Sequence, residues 1–119
     1  MGTNTFWSQS DAPVPQSYTN NITAHAGGGQ ASAMPLTTTI NRVTTVATAG
    51  DSVKMPAATP GQNGIIVTNA AVTNSMNLFP LGNDQINGAG ASTAFAIAAG
   101  KTAILSCAAS GQWHAVLSA

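Results

Sequence analysis

The sequence predicts an all-β protein: a β-sandwich or jelly-roll-like barrel of about seven short antiparallel strands, with an extended N-terminal arm. Two observations support this prediction. Short apolar segments alternate with turn residues from residue 41 onward, which is typical of sandwiches and barrels. Alanine is abundant but never falls at helical spacing. A separate observation bears on association: only 5% of the residues are charged, against about a quarter in ordinary soluble domains.

The predicted body comprises residues 41–119, where each strand is bounded by residues that favour turns. The strands are expected at residues 42–48, 52–55, 64–69, 75–79, 93–97, 102–108 and 112–118. The segments between them carry Gly50-Asp51, Pro60-Gly61, Gly82-Asn83-Asp84 and Asn87-Gly88. No internal stretch of the body has the length and the period of a helix, so the strands are expected to account for its regular structure.

The last three strands can be placed in register from the two loops that join them. Residues 98–100 and 109–111 each end in glycine, which suits a three-residue hairpin loop with a left-handed third position. These loops pair Phe95 with Ala103, Cys107 with Trp113, Leu105 with Ala115 and Ala103 with Leu117.

This register separates the three strands into two faces. The inner face holds the predicted core anchors Phe95, Ile97, Leu105, Trp113 and Leu117. The outer face carries Ile104, His114 and Val116 among alanine, serine and threonine, and is mildly apolar. Such a surface suits either a neighbour's contact or ordinary exposed apolar area.

Residues 1–40 differ from the body in composition. They contain three prolines, a run of three glycines and scattered apolar side chains without a sustained period. Two interpretations remain open: a flexible tail, or an arm that orders on a partner. Phe6, Trp7 and Tyr18 favour the arm, because disordered tails are usually poor in aromatic residues. On either interpretation, the body is expected to stay folded without residues 1–40.

Composition excludes several classes of function. Three basic and three acidic residues give no net charge, so the chain lacks the cations that nucleic-acid binding requires. A single cysteine permits no internal disulfide. No apolar run reaches the ~18 residues of a membrane helix, and the N-terminus has no secretory signal, so we expect synthesis in the cytoplasm. The small body favours a homo-oligomer, since ~80 residues bury little apolar surface.

The reactive side chains do not form a recognisable catalytic set, and we expect no enzyme, metal or cofactor. Cys107 and His114 are the one pair that suggests a thiol nucleophile and its base, yet the predicted register places them on opposite faces. His25 is the only other histidine, so zinc ligands at the usual spacing are missing. The stretch GNDQING, residues 82–88, has one carboxylate and fits a turn better than a calcium loop.

Five segments of the body resemble a module of tailed-bacteriophage virion proteins. They are GDSVKMP at 50–56, IIVTN at 65–69, LFPLGNDQING at 78–88, AGKTAILSC at 99–107 and GQWH at 111–114. The resemblance extends over roughly two-thirds of the chain and rests on strand and turn motifs.

The resemblance implies a capsid decoration (cement) protein that binds the outer capsid surface and stabilises the head. Its partners would be the major capsid protein and further copies of itself, most simply as a trimer, and its location would be the virion surface. Phe6, Trp7 and Tyr18 would then contact neighbouring subunits. The alternative is a head or tail fibre module that binds glycans on the host surface.

Overall fold

The computed structural model describes residues 16–27 and 29–119 and is all-β. No α-helix occurs in these two ranges, and a single 3₁₀ turn, Gln30–Ser32, lies between the first two strands. The strands are β1 (Tyr18–Thr23), β2 (Met34–Pro35), β3 (Ile40–Thr45), β4 (Ser52–Lys54), β5 (Ile65–Asn69), β6 (Met76–Phe79), β7 (Gln85–Ile86), β8 (Phe95–Ile97), β9 (Thr102–Ala109) and β10 (Gln112–Leu117). The all-β prediction is therefore confirmed.

The chain winds as stacked coils between two sheets, an arrangement like a β-solenoid. One sheet has the strand order β1-β3-β5-β9-β10-β7 and the other β2-β4-β6-β8. Strands β1, β3 and β5 are parallel neighbours in the first sheet, and β2, β4 and β6 are parallel neighbours in the second. Each coil therefore contributes one strand to each sheet.

The predicted β-sandwich or jelly-roll-like barrel of antiparallel strands is not the arrangement found. Short apolar segments separated by turns are common to both architectures, so the pattern predicts strands without predicting their partners. What distinguishes the two is whether a turn reverses the chain within one sheet or carries it across to the other. From β1 to β6 every connection crosses between the sheets.

The C-terminal hairpin has the predicted register. Cys107 lies opposite Trp113, and Leu105 lies opposite Ala115. Gly111 has φ +75°, the left-handed conformation that the loop requires. The inner and outer faces of β9 and β10 follow from this register.

The other predicted hairpin, between β8 and β9, is wrong. Strand β8 belongs to the four-stranded sheet, where Phe95 pairs with Leu78 and Ile97 with Met76. Strand β9 instead pairs with β5 in the six-stranded sheet. The turn at Gly100, with φ +80°, thus carries the chain from one sheet to the other. Its residues suit a hairpin equally well, because the local turn does not specify the strand that receives the chain.

The second half of the predicted arm forms the first coil. Strand β1 pairs in parallel with β3, and β2 pairs in parallel with β4. Ile22, Ala24 and Leu36 are buried in the same core as the later strands. The period-2 pattern is lost here because β1 is bulged, with Asn21 at φ +57°, and because β2 has only two residues. The extended-arm prediction is therefore not met for residues 18–27 and 29–40, and residues 1–15 and 28 lie outside the described ranges.

The core between the sheets contains most of the predicted anchors. Ile97, Leu105 and Trp113 are buried, and Phe95 is half-buried against the core. Leu117 is 41% exposed, contrary to prediction. It is the last residue of β10, whereas Trp113 and Ala115 on the same face of this strand are buried.

A buried asparagine joins the two sheets. Asn69 ends β5, and its Nδ2 donates to the carbonyl oxygens of Asn74 and Ile97, each at 2.9 Å. Its Oδ1 accepts from the backbone N–H of Ala71 at 3.1 Å. Because Ile97 belongs to β8, the side chain ties the six-stranded sheet to the four-stranded one.

We expect Asn69→Ala to lower the free energy of unfolding by about 2–3 kcal/mol, because buried polar groups left without a partner cost ~1–3 kcal/mol each. Urea unfolding followed by tryptophan fluorescence measures the change. The matched control is Asn63→Ala, at an exposed loop position, which should change the free energy by less than about 0.5 kcal/mol. Equal effects of the two substitutions would contradict the linking role of Asn69.

Candidate interaction surface

The outward face of the six-stranded sheet carries a row of apolar side chains that crosses five strands. Tyr18 of β1 pairs with Ile40 of β3, and Ile40 pairs with Ile66 of β5. Ile66 then pairs with Ile104 of β9, and Ile104 pairs with Val116 of β10. We call these five residues the outer apolar row. Neighbouring strands lie about 4.8 Å apart, so the row is about 19 Å long.

Strand alternation directs this row away from the core. The residues that follow Ile40, Ile66 and Ile104 in sequence are all fully buried, so each of these isoleucines lies on the opposite face. Tyr18 is 73% exposed, Val116 63% and Ile104 47%. Ile40 is exposed to a smaller extent and Ile66 is half-buried. The row is therefore accessible along its whole length.

Polar side chains border the row along both sides. On one side, the Arg42 guanidinium donates to Asn20 Oδ1 at 3.0 Å. The Thr68 and Thr102 hydroxyls continue this border, with their oxygen atoms 2.9 Å apart. On the other side, the neighbouring position on β10 is the exposed His114. An apolar strip rimmed by polar groups is typical of a surface that contacts another macromolecule.

The two aspartates of the described ranges lie away from this row and bind backbone groups. Asp51 is buried and accepts from the N–H groups of Gly27 and Thr48. Asp84 Oδ2 accepts from the N–H of Ala58 at 2.8 Å. The outward face therefore carries the positive charge of Arg42, and neither aspartate contributes a carboxylate to that face.

The edges of the six-stranded sheet are poorly suited to receive another strand. Strand β7 covers β10 at one edge, and the Asn87 side chain extends this cover. Its Oδ1 accepts from Ala115 N–H at 2.8 Å, and its Nδ2 donates to Ala115 C=O at 3.1 Å. At the other edge, β1 is irregular at Asn21. Bulges and side-chain cover both hinder strand addition, so the face is the more available contact surface.

Cys107 and His114 do not form a dyad. Cys107 is buried on the inner face, where its Sγ lies 3.1 Å from Ala109 O, whereas His114 is exposed on the outer face. The predicted separation of the two residues is confirmed. In the turn at residues 82–88, Asp84 and Asn87 bind the backbone, as the turn interpretation expects.

No three His, Cys, Asp or Glu side chains of the described part of the chain are grouped so that they could hold a metal ion. Across the same ranges, no helix has the length and apolar character needed to cross a bilayer.

The structure places Tyr18 in one row with Ile104 and Val116, which lie far from it in the sequence. Phe6 and Trp7, the other two predicted contact residues, lie outside the described ranges. Ile40 and Ile66 are not among the contact residues that the sequence predicts. Alternation within residues 64–69 could have placed Ile66 on an outer face, but nothing local could have aligned it with Tyr18.

Comparison of the chain with protein-family models, with curated proteins and with solved structures finds no match.

Proposed function

We propose that this protein is a structural component of a tailed-bacteriophage virion: a decoration (cement) protein that binds the outer surface of the capsid as an oligomer. The observation that carries the proposal is the outer apolar row, an exposed strip across five strands of a charge-poor sheet. A protein that acts by contact needs such a surface and needs no reactive site. The assignment to a phage virion rests on the segments of residues 50–114 that resemble virion proteins.

In the proposed mechanism, the sheet face that carries the outer apolar row joins copies of the chain, and the surface outside that face contacts the capsid by shape and hydrogen bonding. With three basic and three acidic residues, the chain has no net charge to steer it toward a capsid. Attachment instead depends on many weak contacts made at once by several copies, which gain affinity through multivalency. We further propose that Phe6 and Trp7 contact the major capsid protein, because aromatic side chains are enriched at protein interfaces.

The second candidate is an adhesion or fibre module that binds host-surface glycans. The observation in its favour is Tyr18, a largely exposed aromatic ring beside the hydrogen-bonded pair Asn20 and Arg42. Aromatic rings flanked by polar side chains suit a sugar ring, which has an apolar face and hydroxyl edges.

Mass spectrometry of purified virions, followed by add-back, tests the coat function. Peptides of this chain are expected in gradient-purified particles at a copy number comparable with that of the major capsid protein. Heads stripped of the chain should lose DNA on heating sooner than intact heads, and purified protein should restore them.

Two outcomes would contradict the coat function. One is the absence of the chain from particles; the other is its presence at a few copies, combined with glycan-array binding that Tyr18→Ala abolishes. The second outcome would favour adhesion. A Val72→Ala variant, changed at an exposed position outside the row, is the matched control for both assays.

A further inference from the structure

We propose that the outer apolar row is a self-association surface on which a second copy of this chain packs, sheet against sheet. The inference rests on the proposed function, because a decoration protein acts as an oligomer, and it names the surface that joins the copies. The occupant is a second copy rather than a foreign protein for three reasons: the area of the face, its charge and its symmetry.

The area of the face suits a pair of moderate affinity. Five strands (β1, β3, β5, β9 and β10) about 4.8 Å apart and about six residues long, at about 3.3 Å per residue, give a face of roughly 24 by 20 Å. Covering this face on both copies removes about 1,000 Å² from solvent, which is below the standard size of a stable interface and is typical of a weak, reversible one. We therefore expect a dissociation constant in the micromolar range.

The charge of the chain allows copies to approach one another. A net charge of zero leaves no long-range repulsion between identical molecules. Arg42 is the charged residue beside the row, and its guanidinium already donates to Asn20 of the same copy. Because Arg42 lies at the border of the row and its side chain is exposed, the guanidinium can stay in contact with water when two faces pack.

The row is nearly symmetric about its middle residue. A two-fold axis along the strands through Ile66 would place Tyr18 of each copy over Val116 of the other, and Ile40 over Ile104. The same axis places Arg42 over Thr102, so the two guanidinium groups do not meet. Two sheets packed face to face usually cross at about 30°, which corresponds to a two-fold axis inclined by about 15° to the strands, so the pairs near the centre of the row meet most closely.

Analytical ultracentrifugation of the full chain from about 1 to 200 μM tests the proposal at concentrations that bracket the expected affinity. We expect a reversible equilibrium between one and two copies. Ile104→Lys should weaken association more than tenfold, because it places an ammonium group against Ile40 of the second copy. The matched control is Val72→Lys, which makes the same kind of change at a loop residue that is 92% exposed, and it should leave association unchanged.

A charge-pair experiment separates a contact role from a folding role. Equimolar mixing of Ile104→Lys with Ile40→Glu should restore association, because the proposed axis places these two positions opposite each other. Circular dichroism should show that both variants remain folded. If Ile104→Lys fails to fold, Val116→Lys, at a more exposed member of the row, replaces it and is paired with Tyr18→Glu.

Three results would overturn the proposal. They are a single copy at every concentration, equal effects of Ile104→Lys and Val72→Lys, and a trimer whose mass Ile104→Lys does not change. The proposed coat function fails by a different measurement, the absence of the chain from virions. A monomer in solution would therefore reject the self-association surface without deciding the coat function.

Discussion

Deleting residues 2–37 is expected to abolish cooperative unfolding, whereas deleting residues 2–15 is expected to preserve it. The longer deletion removes β1 and β2, and with them the buried side chains of Ile22 and Leu36. Each such side chain contributes about 1.5–3 kcal/mol when fully buried. The loss also uncovers Val43 and Val53 in the next coil, both fully buried in the intact chain. The free energy of unfolding of a domain is only about 5–15 kcal/mol, so the loss of these contacts approaches the whole of it.

Thermal unfolding by circular dichroism and near-ultraviolet spectra measures the two deletions. The longer deletion stops at residue 37 so that Thr38, whose hydroxyl and carbonyl oxygen bind the Asn41 side chain, is retained. The shorter deletion removes none of the described contacts and is the matched control. A sharp transition in the longer deletion would mean that the coils from β3 onward fold independently, as the arm prediction implied.

Trp113→Ala is expected to lower the free energy of unfolding by about 3–5 kcal/mol, the usual cost of truncating a buried aromatic side chain. Trp113 is 1% exposed and packs in the shared core. Among the described atoms, its Nε1 has no hydrogen-bond partner, so the contribution of this residue comes from packing. Urea unfolding gives the free energy, with far-ultraviolet circular dichroism as the probe because the substitution removes a fluorophore.

Two further substitutions sharpen this measurement. Trp113→Phe retains an aromatic ring and removes the buried N–H, so its cost should be well below that of alanine. His114→Ala, at the adjacent exposed residue of the same strand, should cost less than about 0.5 kcal/mol. If Trp113→Ala lowers the free energy of unfolding no more than His114→Ala does, the assignment of Trp113 to the inner face of β10 is wrong.

Two unusual properties of the chain, its low charge and its outer apolar row, both favour contact with another macromolecule. A low content of charge normally favours association, and an exposed apolar strip normally marks a contact. In this protein the strip lies on the largest sheet, while the sheet edges are bulged or covered. Contact through a face allows a definite pair of surfaces to form, whereas open edges would permit unlimited strand addition.

Local sequence determined the strands near the C-terminus and their register. The loop ending in Gly111 joins residues close in the chain, so the pairing of Cys107 with Trp113 follows from turn geometry. Alternation then assigned Leu105 inward and Ile104 outward, as observed. The same reasoning failed at Gly100, where a turn of similar composition leads to the other sheet.

Only the tertiary structure decided the coils, the place of residues 18–40 and the outer apolar row. Parallel neighbours are separated by a crossover to the other sheet, so Tyr18 meets Ile40 and Ile40 meets Ile66 without any local turn to align them. A period of two specifies which face a side chain occupies but not which strand lies beside it. Val43 and Val53 of the second coil and Val67 of the third are fully buried in one core, so the neighbour of each strand depends on packing between coils and not on a local turn.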